Sequence, residues 1–159
     1  MPTDSTEIQK RLAHFRQKCR DAGLKLTHQR LEIFKEVASS EAHPDAEAVF
    51  RGVQPRMPTV SLDTVYRTLW MLNDLGLVTT LGPRRESVRF DANPLPHHHF
   101  VCTLCGLAKD FEYDDFNDLK IPDDVKNLGT VQATHVEVRG LCKECADMKA
   151  EEGKGRRKP

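Results

Sequence analysis

Apolar side chains recur at helical spacing through most of the first 75 residues of the chain. Ile8, Leu12 and Phe15 stand three or four positions apart, which places them on one side of a helix that Gly23 ends. Three further segments repeat this spacing, and each begins with a residue type suited to a helix start. Their predicted starts are Thr27, His43-Pro44 with Pro44 at the first helical position and His43 as the cap, and Ser61. The pattern therefore predicts four helices, the last ending near Leu75.

The spacing changes after Gly76, where short apolar runs replace the helical pattern. Residues 77–81 and 87–91 predict two strands joined by the basic turn Gly82-Pro83-Arg84-Arg85. Helices followed by such a hairpin are typical of a winged helix-turn-helix domain. Because a plain helical domain would carry the same helices, the pattern alone leaves that alternative open.

The proline-rich segment 92–96 is the best candidate for a domain boundary. Beyond it, the pattern predicts strands over 97–102, 107–113 and 131–139, with an acidic helical stretch between the last two. The predicted class is α+β, a winged helix-turn-helix domain followed by a small α/β domain, with residues 151–159 as a disordered basic tail.

Charge is balanced over the 159 residues but unevenly distributed. Residues 1–91 carry 14 Lys and Arg against 12 Asp and Glu, whereas residues 92–145 carry 5 against 9. This distribution permits nucleic-acid binding by the first half. No apolar run has the length of a membrane span, and the first residues contain no apolar signal segment, so we expect a cytoplasmic protein.

Four of the five cysteines form two C-x-x-C pairs, Cys102 with Cys105 and Cys142 with Cys145. Two such pairs can close a tetrahedral thiolate site, for which zinc is the favoured metal. The pattern predicts structural Zn²⁺, but it defines no function because zinc ribbons share it. The remaining cysteine, Cys19, is expected to be an ordinary free thiol.

A run of three histidines precedes the first cysteine pair. On a strand, His97 and His99 would share a face and His98 would point the other way. His97 and His99, together with His43, Asp91 and Asp110, would form a mixed nitrogen and oxygen ligand set that suits Fe(II), Mn(II) or Zn(II). An incidental histidine run explains the spacing equally well, so spacing alone leaves both interpretations open.

Several ordered motifs give the chain a strong resemblance to the ferric uptake regulator family of metal-dependent bacterial repressors. The resemblance spans about residues 8–145. Its motifs are Gly23-Leu24-Lys25-Leu26-Thr27-His28-Gln29-Arg30, Ala42-His43-Pro44, Thr64-Val65-Tyr66-Arg67-Thr68-Leu69, Arg89-Phe90-Asp91, His97-His98-His99-Phe100-Val101-Cys102-Thr103-Leu104-Cys105-Gly106 and Gly140-Leu141-Cys142-Lys143-Glu144-Cys145.

The resemblance implies a homodimeric repressor with structural Zn²⁺ and a regulatory Fe²⁺ or Mn²⁺. Its implied parts are a winged-helix DNA-binding domain (1–91), a hinge (92–96) and a metal-binding dimerisation domain (97–150). The implied regulatory ligands are His43, Asp91, His97, His99 and Asp110. Iron-uptake regulators usually have glutamate at the two aspartate positions, whereas the peroxide-sensing branch of the family has aspartate. The sequence therefore resembles the peroxide-sensing branch, with an iron- or zinc-uptake regulator as the alternative.

The implied partner is double-stranded operator DNA, A·T-rich and palindromic. Tyr66 could contact a thymine methyl group, and Lys25, Arg30 and Arg67 could contact phosphates or a narrow minor groove. The implied DNA-contacting residues are Lys25, Arg30, Thr64, Tyr66 and Arg67. For Tyr66, packing within the helical domain remains the alternative.

A second regulatory site found in many family members is incomplete in this sequence. Its usual ligand positions correspond to Pro96, His98, Asn117 and Thr134, of which His98 alone could coordinate a metal. His135 stands one residue out of register, which turns it to the opposite face of a strand. A zinc hydrolase or deaminase is a distant alternative, but the chain has no His-Glu-x-x-His segment, and none of the implied ligands belongs to a His-x-Glu segment. We therefore expect a regulator and not an enzyme.

Overall fold

The computed structural model of this chain describes residues 5–81 and 88–155, which divide into two compact units. The N-terminal unit is Met1–Pro94 and the C-terminal unit is Leu95–Pro159. Both contain helices and strands, so the predicted α+β class is confirmed. No helix in the described part has the length and apolar character needed to cross a membrane.

Within the described residues, four helices and a two-stranded sheet build the N-terminal unit, and all four predicted helices are confirmed. The elements are α1 (Ser5–Asp21), α2 (His28–Ala38), α3 (Ala46–Val53), α4 (Leu62–Asp74), β1 (Thr79–Leu81) and β2 (Arg89–Asp91). The hydroxyls of Thr27 and Ser61 cap α2 and α4 by accepting backbone N–H bonds. The predicted wing turn at 82–85 lies outside the described residues.

The predicted cap of the third helix is wrong. Asp45 is the N-cap of α3, and its carboxylate accepts the N–H of Ala48 at 2.7 Å. His43 precedes the helix with a φ of +47°, in the left-handed region that non-glycine residues seldom adopt. A cap residue has an extended backbone, and Asp45 has it. His43 therefore lies in the loop before α3 and not at its first turn.

The core of the N-terminal unit combines apolar side chains from all four helices and β2. Phe15 of α1 stacks on Phe34 of α2 with ring centroids 4.6 Å apart. Helical spacing predicts Leu62, Val65, Leu69 and Leu72 on the inner side of α4; the last three are buried, and Leu62 is half-buried. Its opposite side leaves Tyr66 and Trp70 exposed.

A three-stranded sheet and helix α7 organise the C-terminal unit. Its elements are β3 (His98–Cys102), β4 (Ala108–Phe111), α5 (Asp114–Asn117), α6 (Asp123–Lys126), β5 (Glu137–Gly140) and α7 (Lys143–Gly155). The strand order is β4-β3-β5, with β3 antiparallel to β4 and parallel to β5. The register pairs His99 with Asp110 on one side and with Glu137 on the other.

Two predictions for the C-terminal unit need correction. The third strand begins at Glu137 and not near Val131, because the β3 register would pair the preceding residues with Asn93-Pro94-Leu95-Pro96. Prolines there lack the N–H groups that a ladder needs. The tail predicted to be disordered from 151 is helical as far as Gly155, and Glu151 and Glu152, both good helix formers, extend α7 into it. The rest of that tail, 156–159, is outside the part of the chain that the structure describes.

Candidate metal centres and nucleic-acid interface

The four cysteines of the C-x-x-C pairs come together in the C-terminal unit. Their Sγ atoms all lie within 4.8 Å of one another. Cys102 ends β3, and the parallel pairing of Cys102 with Gly140 on β5 brings the second pair alongside the first. Cys145 enters from the first turn of α7. The pairing of two strands thus converts two separated motifs into one cluster.

Hydrogen bonds differentiate the four thiols. Bonds from the backbone amides of Cys105 and Cys142 lower the pKa of the Cys102 thiol to about 6. The hydrogen bond with Cys142 and burial raise the pKa of the Cys145 thiol to about 12. One thiolate is therefore stabilised by backbone amides, but further negative charge at this spacing needs a cation. Four thiolates around one dication are the usual structural zinc site, and this set fits it.

The candidate ligands of the N-terminal unit are His43 and Asp91. His43 Nδ1 lies 3.6 Å from Asp91 Oδ1, and both side chains are buried. Asp91 ends β2, and its Oδ1 also accepts the N–H of Asn93 at 2.8 Å. One imidazole and one carboxylate give half of an ordinary metal site.

The C-terminal unit presents a second set on one face of its sheet, composed of His97, His99 and Asp110. The two Nε2 atoms lie 3.0 Å apart, and Asp110 Oδ1 is 3.4 Å from His99 Nε2 and 3.8 Å from His97 Nε2. Ligand atoms around an ion with metal–nitrogen distances of about 2.1 Å are separated by roughly 3.0–3.4 Å. Two of the three distances match the spacing of one coordination sphere, and the third, between His97 Nε2 and Asp110 Oδ1 at 3.8 Å, is slightly longer.

A backbone carbonyl orients the ring of His97. Its Nδ1 lies 2.6 Å from the carbonyl oxygen of Leu95. Because a carbonyl oxygen only accepts hydrogen bonds, Nδ1 carries the hydrogen and Nε2 keeps its lone pair. Such a bond to the far ring nitrogen is the usual way in which proteins orient a metal-binding imidazole. His97 is thus set to coordinate through Nε2, on the side of His99 and Asp110.

His98 lies on the opposite face, as the strand alternation predicted. Its Nδ1 accepts the N–H of Val136 at 3.2 Å, and its ring packs against Phe111 and Phe116 with centroids 5.5 and 5.4 Å away. The ring is 1% exposed. Since Pro96, Asn117 and Thr134 offer no imidazole or carboxylate, His98 acts as a packed core residue here.

The candidate DNA-contacting residues lie on the N-terminal unit around α4. Arg30, Thr64 and Arg67 line one cleft of about 380 Å³ between the starts of α2 and α4. Tyr66 and Arg67 line a neighbouring depression with Trp70. The remaining candidate, Lys25, is exposed, and its carbonyl oxygen accepts a bond from the Arg30 guanidinium.

Arg89 contributes a contact that sequence reasoning did not assign. Its Nη1 donates to the carbonyl oxygen of Ala42 at 3.1 Å, and the N–H of Phe90 donates to the carbonyl oxygen of Pro44 at 3.0 Å. These two hydrogen bonds connect β2 to the loop before α3, one on each side of His43. The Arg-Phe-Asp motif contained Arg89, but no spacing rule connects it to a loop more than 40 positions earlier.

Comparison with known proteins identifies the family. The ferric uptake regulator family model matches residues 21–139, and the chain belongs to this family. It is 34% identical over 143 residues to the peroxide-responsive repressor PerR of Staphylococcus aureus, covering 89% of this chain and 93% of PerR.

Solved structures of relatives share the fold. The ferric uptake regulator of Helicobacter pylori, described as having three functional metal-binding sites, matches with a TM-score of 0.70 at 20% identity, covering 92% of this chain and 97% of that one. The regulator of Vibrio cholerae matches with a TM-score of 0.64 at 27% identity, covering 79% and 98%.

Proposed function

We propose that this protein is a metal-dependent transcriptional repressor that binds operator DNA as a homodimer and responds to hydrogen peroxide. The observation that carries the proposal is the pair of incomplete donor sets, one in each unit. His43 with Asp91 offers two ligand atoms, and His97 with His99 and Asp110 offers three. One ion that bound all five would join the DNA-reading unit to the dimerising unit.

The donor chemistry defines the class of ion. Three imidazoles and two carboxylates suit Fe²⁺ or Mn²⁺, with the two carboxylates neutralising the charge of the dication. His97 coordinates through Nε2 because its Nδ1–H is held by the Leu95 carbonyl. The thiolate cluster serves Zn²⁺ and stays structural.

The proposed domain roles follow from the two surfaces. Residues 1–91 read DNA through α4, where Tyr66 is 43% exposed and Arg67 projects beside it. Residues 97–150 form the dimer, and 92–96 form the hinge. Support for dimerisation comes from the strand order, which leaves β5 at an edge with Val138 42% exposed. A closed dimer would hold two α4 helices at the spacing of successive major grooves on a palindromic, A·T-rich operator.

Metal and DNA would then bind cooperatively. Both prefer the same closed arrangement, and coupling free energies between two such ligands are typically about 1–3 kcal/mol. Without the regulatory ion, the units would no longer be fixed and operator affinity would fall.

Peroxide sensing is supported by the aspartates at 91 and 110 and by the similarity to PerR of Staphylococcus aureus. A bound ferrous ion would supply the electrons that activate hydrogen peroxide. In the net reaction, one peroxide oxygen enters a carbon–hydrogen bond of the His43 or His97 ring, and the other oxygen leaves as water. The altered ring is a poorer ligand, so the ion and the operator are released.

Operator binding tests the regulatory site. We would select operator sequences from a random pool with the Mn²⁺-loaded protein, then measure affinity with Mn²⁺, Fe²⁺ and Zn²⁺ separately. His99→Ala and Asp110→Ala should each weaken Mn²⁺-dependent binding at least tenfold, whereas His14→Ala on exposed α1 should not. Unchanged binding by both ligand variants would overturn the regulatory site. Repression supported by zinc but not by iron or manganese would instead favour a zinc-uptake regulator.

Peptide mass analysis tests the response to peroxide. The iron form, exposed to peroxide, should gain one oxygen on the peptide containing His43 or His97 and lose operator affinity. The manganese form, treated identically, is the control and should remain unmodified. An iron form that stays unmodified and bound to its operator would leave an iron-uptake regulator as the better assignment.

A further inference from the structure

The C-terminal unit carries another histidine beside the regulatory ligands. The ring of His135 lies 6.3 Å from the ring of His99, centroid to centroid, at an interplanar angle of 75°. His135 occupied no ligand position in the sequence, where it stood one residue out of register with the second regulatory site. Its neighbour in the fold is therefore His99 and not His98.

The strand register explains this neighbour. Parallel pairing sets Glu137 beside His99, and the N–H of His99 donates to the carbonyl oxygen of Val136 at 3.0 Å. Residues two apart on an extended segment share a face. His135 therefore belongs to the face of Glu137 and His99, opposite the face where His98 packs.

We propose that His135 completes a four-ligand metal site with His97, His99 and Asp110, held entirely within the C-terminal unit. Two imidazoles bound to one ion at a tetrahedral angle have ring centroids about 5 Å apart. His135 would need to approach His99 by little more than 1 Å, a shift that a change of rotamer at an exposed side chain can supply. Three imidazoles and one carboxylate form a set that suits a tetrahedral ion such as Zn²⁺ or Co²⁺.

An ion bound by His97, His99 and Asp110, here called the triad, could complete its coordination in two ways. With His43 and Asp91 it forms the five-ligand site of the proposed function, which suits ions that accept more than four ligands. With His135 it forms a four-ligand site that leaves the N-terminal unit unattached. The two states are mutually exclusive, so His135 would discriminate against tetrahedral ions as activators. This regulatory consequence rests on the proposed function, but the four-ligand site itself does not.

Cobalt titration of the full-length protein tests the site. The background variant, His43→Ala with Asp91→Ala, removes the ligands of the N-terminal unit, and its cysteines are loaded with zinc beforehand. We expect it to bind one Co²⁺ per chain with the strong visible absorption of tetrahedral cobalt. Adding His135→Ala should weaken Co²⁺ binding at least tenfold and replace that absorption with the weak bands of higher coordination.

Two matched variants in the same background give the controls. His14→Ala removes an exposed histidine elsewhere, and Glu137→Gln removes the other candidate donor on this face, whose carboxylate is paired with Arg139. Both should keep the tetrahedral spectrum. The proposal is overturned if the background variant takes up no Co²⁺, or if His135→Ala titrates like His14→Ala. Neither result depends on DNA or on the five-ligand site, so failure of the proposed function would be seen separately, in the operator assay.

Discussion

The two units are stabilised by different means. In the described part of the N-terminal unit, eighteen buried residues form one apolar cluster that includes the stacked rings of Phe15 and Phe34. In the C-terminal unit, a cluster around the metal ligands consists of Cys102, Cys142 and Cys145 with three partly buried apolar neighbours. Apolar side chains of that unit are instead exposed, with Leu128 at 86%.

The contrast separates two sources of folding free energy. Burial of apolar area stabilises the first unit whether or not a metal is bound. The second unit combines a thiol cluster with a small group of rings around His98, so a large share of its stability depends on the ion that those thiols bind. A protein built in this way can keep its N-terminal unit folded while its C-terminal unit gains or loses an ion.

Zinc removal should produce the largest effect. Structural zinc contributes about 10–16 kcal/mol in small zinc-dependent domains. Chelation, or Cys142→Ser, should therefore abolish hydrogen-exchange protection in β3, β4 and β5. Protection in α2 and α4 should persist, since their core contains no thiolate cluster. Cys19→Ser, which changes the buried cysteine of the N-terminal unit, is the control and should leave zinc content unchanged. Equal loss of protection in both units would contradict the comparison.

Replacing one phenylalanine by alanine in each unit should give the next largest difference in the free energy of unfolding. Phe34 is 1% exposed and stacks on Phe15, so Phe34→Ala should cost about 3–5 kcal/mol. Phe100 is only partly buried beside the thiols, and Phe100→Ala should cost about 1–2 kcal/mol in the zinc-loaded protein. Denaturant unfolding followed by exchange in each unit would measure both. Equal costs would show that the C-terminal unit relies on apolar packing as well.

Sequence periodicity predicted the helical half of the fold well because helix positions depend on local spacing and capping. The inner side of α4, with Val65, Leu69 and Leu72, followed from spacing alone. The wrong predictions concern positions whose structure depends on contacts beyond the local spacing of apolar residues. His43 was predicted as a cap, but the carboxylate of Asp45 takes that role. The start of β5 depends on prolines in its partner segment, which no property of residues 131–136 could reveal.

The candidate sites also combine features that local spacing predicts with features that depend on pairing between distant segments. Alternation along β3 predicted that His97 and His99 share a face, and the resemblance supplied the remaining ligand positions. The proximity of His135 to His99 required the parallel register of β3 and β5. A single sequence contains no signal for that register, because it depends on two segments nearly 40 residues apart.

Acid should affect the N-terminal unit through a buried carboxylate. A hydrogen bond from Lys35 and another from Arg56 lower the pKa of Glu32 below its usual 4.5. A lowered pKa means stability that is complete above the unfolded value and is lost as pH falls through the folded value. Glu32→Gln should therefore cost about 1–2 kcal/mol at neutral pH and flatten the loss of stability below pH 4.5. Glu47→Gln, in an exposed pair with Arg51, is the control and should change little.

The smallest predicted effect concerns how each unit positions its ligands. Strand pairing positions His99 and Asp110, whereas hydrogen bonds to a loop position His43, whose left-handed backbone costs about 1–3 kcal/mol. Arg89→Ala removes the bond to the Ala42 carbonyl and should lower Mn²⁺ affinity about threefold to tenfold, as the loss of one hydrogen bond of about 1 kcal/mol implies.

Calorimetric titration with Mn²⁺ in the absence of DNA would measure this change. Arg89→Lys keeps a donor and should recover part of the affinity. A purely structural Arg89 would instead lower the thermal stability of the metal-free protein and leave Mn²⁺ affinity unchanged. That result would mean that His43 reaches its ligand position without the hydrogen bond from Arg89 of β2. His99 and Asp110 of the other unit likewise need no such bond, because strand pairing positions them.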